Sequence, residues 1–100
     1  MIRDYREPAR ITRTDLVHVH ERGLTLIRLD LTAGHTRVTA WYLPDDLPAL
    51  TRMLDASPDG PATLSGLDGL TVLAHYTSII GRITGLSNPK DPERMIRTRV

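Results

Sequence analysis

Cysteine and phenylalanine are both absent from this sequence, and lysine and tryptophan occur once each, as Lys90 and Trp41. Without cysteine the chain has no disulfide, no thiolate metal site and no thiol nucleophile. Without phenylalanine, and with only Tyr5, Tyr42 and Tyr76 beside Trp41, the apolar interior must be built from Leu, Ile and Val. Long apolar runs are missing as well. The first 25 residues mix Arg3, Arg6, Arg10 and Arg13 with Asp4, Glu7 and Asp15, a pattern unlike a secretory signal or a membrane span. These absences point to a cytoplasmic protein without membrane partners.

What remains is ordinary for a globular domain: 100 residues, 40% hydrophobic and 25% charged. That length fits one domain with a modest core, whose stability self-association would help. The net charge of +1 excludes a whole-chain polycation made for DNA. The distribution is less even. Residues 44–76 set Arg52 against five aspartates, whereas residues 77–100 set Arg82, Lys90, Arg94, Arg97 and Arg99 against Asp91 and Glu93. An acidic middle and a basic end are complementary, which suits assembly of two copies.

The chain divides into a polar arm over residues 1–10, a β-rich domain over 11–86 and a basic tail over 87–100. Leu16 to His20 reads as strand from its β-branched residues, followed by a turn at Glu21-Arg22-Gly23. Leu24 to Leu31 is a second strand whose apolar phase slips between Leu26 and Ile27. Such a slip predicts either a β-bulge there or a strand covered on both faces. After a turn at Thr32-Ala33-Gly34-His35, Arg37 to Leu43 forms a third strand with Arg37, Thr39 and Trp41 on one face.

Leu47, Leu50, Met53 and Leu54 recur at helical spacing, with Asp46 placed as N-cap and Pro48 in the first turn. Ser57-Pro58-Asp59-Gly60-Pro61 ends that helix. Asp68-Gly69 between two apolar runs predicts a hairpin joining Ala62–Leu67 to Leu70–Tyr76. The second strand extends towards Ile80, bends at Gly81 and resumes over Arg82 to Leu86 as a sixth strand. The order β-β-β-α-β-β, with this sixth strand in addition, defines an α+β fold: a mainly antiparallel sheet, or a small partly open barrel, with one short helix packed on it.

Chemistry-bearing constellations are few. No serine sits in a nucleophile elbow, Asp45-Asp46 reads as a helix start, and Gly66-Leu67-Asp68-Gly69 lacks the lysine of a phosphate loop. The expectation is a non-enzyme without cofactor or small-molecule substrate. The weak metal alternative is His18-Val19-His20, two rings on one strand face, with His75 as a third ligand. The pair resembles the opening of a cupin metal motif. Leu24 and Thr25 stand where that motif needs glutamate, and its second motif is missing. For nucleic acid, Trp41 and Arg37 on one sheet face form a stacking platform, with Arg82, Arg94, Arg97 and Arg99 as phosphate contacts. The simplest expectation is a binding or regulatory domain working through protein contacts, as a homodimer or on another protein.

Overall fold

The first strand sets the architecture. In the structure, a computed structural model that describes residues 4–56, 62–77 and 82–99, β1 runs from Asp4 to Val19. Its second half pairs with β2 (Leu24–Ala33), which pairs in turn with β3 (Thr36–Tyr42). Its first half pairs with β4 (Thr71–Thr77), followed outward by β5 (Ile83–Asn88) and β6 (Asp91–Arg97). The result is one antiparallel sheet of six strands in the order β3-β2-β1-β4-β5-β6, not closed into a barrel. A short helix α1, Leu47–Met53, packs on it, entered through a 3-10 turn at Pro44–Asp46.

Residues 4–10, expected as an arm, are therefore the first half of the central strand. Pro8 suggested irregular chain, yet it fits. The Ile11 N–H donates to the Leu70 carbonyl on the β4 side. By strand alternation, position 8 directs its nitrogen to the opposite edge. Pairing with β2 begins only at Arg10, so no ladder bond is lost at Pro8. The register breaks between Ile11 and Arg13, and the Thr12 hydroxyl donates to the Asp30 carbonyl at this bulge. The bulge thus falls on β1. The β1–β2 register runs unbroken through Leu26 and Ile27, so β2 is apolar on both faces: Ile27, Leu29 and Leu31 enter the main core while Leu26 is buried outside it.

Turn chemistry explains the meander. Gly23 and Gly34 take φ of 58° and 61°, the left-handed conformation in which glycine escapes a Cβ clash. Asp68-Gly69 does turn the chain, with the Leu70 N–H donating to the Leu67 carbonyl, but it does not form the expected hairpin because no strand immediately precedes it. A type I′ turn needs positive φ at both residues, but Asp68 has φ −63° and only Gly69 is positive, at 82°. Instead Ser65–Leu67 forms a 3-10 turn that buries Leu67, and the Gly69 N–H donates to the Ile11 carbonyl at 2.7 Å. The segment docks on β1 rather than on a strand of its own.

The tail is also a strand. Lys90 N–H donates to the Asn88 side-chain oxygen, closing the turn from β5 into β6. Pro92 is accommodated because β6 is the outermost strand of the sheet. Helix α1 contributes Leu50, fully buried, and Leu54 just beyond its end to a core with Ile11, Tyr42, Val72 and Leu86. The expected helix stop at Ser57 to Pro61 and the bend at Gly81 lie outside the described residues.

Candidate functional site

Three features concentrate the unusual chemistry, and the first is a clasp between the ends of the sheet. Asp46 occupies the helix N-cap position, but its carboxylate does not cap α1. It accepts from the Leu43 N–H at 2.8 Å and from Arg99 twice, Nε at 2.9 Å and Nη2 at 2.6 Å. Asp46 is only 8% exposed. The two-pronged Arg99 contact holds its carboxyl below the usual aspartate value, against the opposing effect of burial. Two further bonds flank the pair. The Arg99 N–H donates to the Trp41 carbonyl, and the Tyr42 hydroxyl donates to the Ile96 carbonyl at 2.7 Å. Burial pushes the Tyr42 phenol well above its ordinary value.

The second feature is a buried pair, His75 and Ser87, with Nε2 and Oγ 2.7 Å apart. A serine beside a histidine is the geometry of an activated nucleophile. Here Ser87 is fully buried, and Met95 is its register partner on β6. Arg6, the β1 neighbour of His75, bridges at 2.9 Å to Glu93. Among the described residues this hydroxyl is enclosed against the ring and away from solvent.

The third feature is the overhang of β1. Pairing with β4 ends at Arg10, two backbone bonds carry it through Ile11, and the Thr14 hydroxyl reaches Asp68 at 2.8 Å. Beyond that point Asp15–Val19 is bonded to β2 on one edge, and among the described residues nothing pairs its other edge. Leu16, 62% exposed, lies on this stretch.

The residues expected from sequence are placed as follows. Arg37 and Trp41 do share a face of β3, opposite Thr32 and Arg28 of β2. Arg37 lines a cleft of about 500 Å³ with Thr12, Arg13, Asp30 and Thr39. Trp41 is half-buried, and the neighbouring Arg28 is held by Asp15 at 3.1 Å and Asp30 at 3.6 Å. Arg82 precedes β5, and its carbonyl accepts from Thr77. Arg94 and Arg97 are exposed on β6, and Arg99 is in the clasp. Of these six, Arg37 and Trp41 lie on β3, the Arg99 N–H reaches the Trp41 carbonyl, and Arg94 and Arg97 lie on β6.

The histidines separate too. His18 and His20 touch edge to face with ring centroids 4.6 Å apart, and His18 Nδ1 meets the Thr25 hydroxyl. His75 pairs across from Arg6, far along β1 from His18. No group of three metal-binding side chains occurs among the described residues.

Sequence reasoning missed the clasp, the His75–Ser87 pair and the overhang. Each joins positions with no local signature, and the clasp spans 53 residues. No helix among the described residues is long and apolar enough to cross a membrane. In comparison with known proteins, the chain matches no family model, no curated protein and no solved structure.

Proposed function

We propose that this chain is a non-catalytic binding domain that acts through protein–protein contacts, with a second copy of itself as the partner and the overhang of β1 as the contact. The observation that carries this reading is the unpaired edge of Asp15–Val19, a segment of high β propensity with Leu16 exposed at its centre. An antiparallel two-fold centred on Val17 sets Leu16 of each copy against His18 of the other and extends the sheet across the interface. The opposite charges of the chain's middle and end support the assembly less than their sum suggests, because Arg99 and Asp46 already neutralise each other within one copy. The cysteine-free composition supports a cytoplasmic setting.

Light scattering on the native chain tests this. A mass about twice 11.2 kDa is expected, falling to the monomer value in Leu16→Lys, whose exposed site tolerates the charge. A sharp monomer of the native chain at every concentration overturns the proposal.

A second reading, a module for single-stranded nucleic acid, is favoured by one observation: Arg37 and Thr39, which alternate onto the same side of β3 as Trp41, line a cleft with Thr12 and Arg13. Trp41 is the only tryptophan, so stacking would quench its fluorescence, with an affinity falling steeply in salt. No quenching by an oligonucleotide at low salt removes this reading.

A further inference from the structure

The seam between α1 and β6 holds a cavity of about 280 Å³ lined by Ala49, Arg52, Met53, Arg94 and Ile96. Two elements build it. Helical spacing brings Ala49, Arg52 and Met53 to one side of α1, and β6 supplies Arg94 and Ile96, two residues apart. The apolar part is continuous with the core, since Met53 and Ile96 both pack against it. The polar part is unbalanced. Arg6, Arg13, Arg28 and Arg99 each have a carboxylate within ion-pair distance, whereas neither Arg52 nor Arg94 forms an ion pair among the described residues. Of the acids close to them in the chain, Glu93 is bridged to Arg6, and Asp55 accepts from the Asn88 amide without forming an ion pair among the described residues.

The fold thus lines one concavity with two guanidinium groups, neither of them in an ion pair among the described residues. Two cations lining one concavity can both be attracted to a single anion placed between them. A concave site with low-dielectric walls focuses that positive potential. Guanidinium groups match carboxylate and phosphate oxygens in pairs, while the methionine thioether suits an aromatic or aliphatic body.

We propose that this seam is a binding site for a small amphiphilic anion, a phosphate or carboxylate carried on an apolar group, held by Arg52 and Arg94 over a floor of Ala49, Met53 and Ile96. The site lies on other elements than the β1 overhang and stands independently of self-association. A cavity of this size sits just below the usual range for drug-sized ligands, roughly 300–1,000 Å³, and so admits a small one.

The test is titration of the full-length chain, followed by amide chemical shifts, with phenyl phosphate, phenylacetate, inorganic phosphate and benzyl alcohol as separate probes. Saturable shifts centred on Met53, Arg94 and Ile96 are expected with at least one of the two aromatic anions. Whichever of the two binds more tightly identifies the head group. Inorganic phosphate and benzyl alcohol, each carrying half of the chemistry, should bind at least tenfold more weakly. Arg52→Gln and Arg94→Gln change exposed side chains and should leave the spectrum folded while weakening the anion at least tenfold each. The proposal is overturned if neither aromatic anion gives saturable shifts at the seam, if benzyl alcohol or inorganic phosphate binds as well as the anions, or if both folded variants bind like the native chain.

Discussion

Replacing Asp46 tests the claim that the two ends of the sheet are held by a clasp and not by the sheet ladder alone. In Asp46→Ala three hydrogen bonds disappear at once: the Leu43 N–H and both Arg99 contacts. Hydrogen bonds to a charged group contribute about 1.5–3 kcal/mol when buried, and an unpaired buried donor costs about 1–3 kcal/mol. The Arg99 side of the pair is half exposed, so water screens it and the contributions do not simply add. A loss of about 2 kcal/mol in unfolding free energy follows, which for a domain of this length lowers the melting temperature by ~8–16 °C. Asp46→Asn should cost less, because its amide oxygen still accepts from Leu43.

The pH dependence makes this prediction sharper. The Asp46 carboxyl titrates below its unfolded value in the folded chain. Its stabilisation is therefore complete above the unfolded aspartate value of about 3.9 and is lost as pH falls through the lower folded value. Thermal melts of the native chain and Asp46→Asn, followed by circular dichroism, should differ at pH 7 and converge on acidification below about pH 4. Equal melting temperatures at pH 7, or a gap that stays constant into strong acid, would refute the reasoning.

Further outcomes follow from neighbouring groups. Tyr42→Phe removes the hydroxyl that donates to the Ile96 carbonyl and should cost about 1 kcal/mol in urea unfolding. Tyr76→Phe should be neutral or stabilising, because its buried hydroxyl has no hydrogen-bond partner among the described residues. The native chain should also lose stability above pH 10, where the unfolded chain releases the Tyr42 proton that burial retains in the fold, and Tyr42→Phe should lose less. Gly85→Ala should cost about 1–3 kcal/mol by overpacking. Its Cβ would come within 2.6 Å of the Met95 side chain and 2.8 Å of the Ile96 carbonyl oxygen, and that oxygen cannot move aside without disturbing β6.

Local physics was legible in the sequence wherever a few neighbouring residues decide the outcome. Gly23 and Gly34 mark the meander turns because only positive φ closes them, and Leu47, Leu50, Met53 and Leu54 mark the helix because spacing alone makes its apolar side. The β1–β4 pairing was hidden because its paired residues lie more than 60 positions apart in the chain, so no turn announces it. β6 was hidden because Pro92 and its charges are the residues of an exposed outer strand, and such a strand carries little apolar alternation. Arg99 was visible as a cation, and Asp46 as a helix-start acid. Their union depends on the sheet curling until the end of β3 meets the chain after β6.

That curl bears on where the molecule can meet a partner. In an open six-stranded sheet the outermost strands, β3 and β6, are the expected sites of edge pairing. Here the end of β3 is drawn to the chain after β6 by the Trp41–Arg99 backbone bond and the Asp46–Arg99 pair. The free edge that remains beside an exposed leucine lies on the central strand, where β4 stops short of Asp15. Stability at the clasp and association at the overhang are then physically separable. Asp46→Asn should lower the melting temperature without changing the mass in solution at a temperature where the variant is folded. Leu16→Lys should change the mass while leaving the melting temperature of the monomer, measured at high dilution, nearly unaltered. If Asp46→Asn alone dissociates the native assembly while folded, the contact lies at the clasped end of the sheet and the assignment to β1 is wrong.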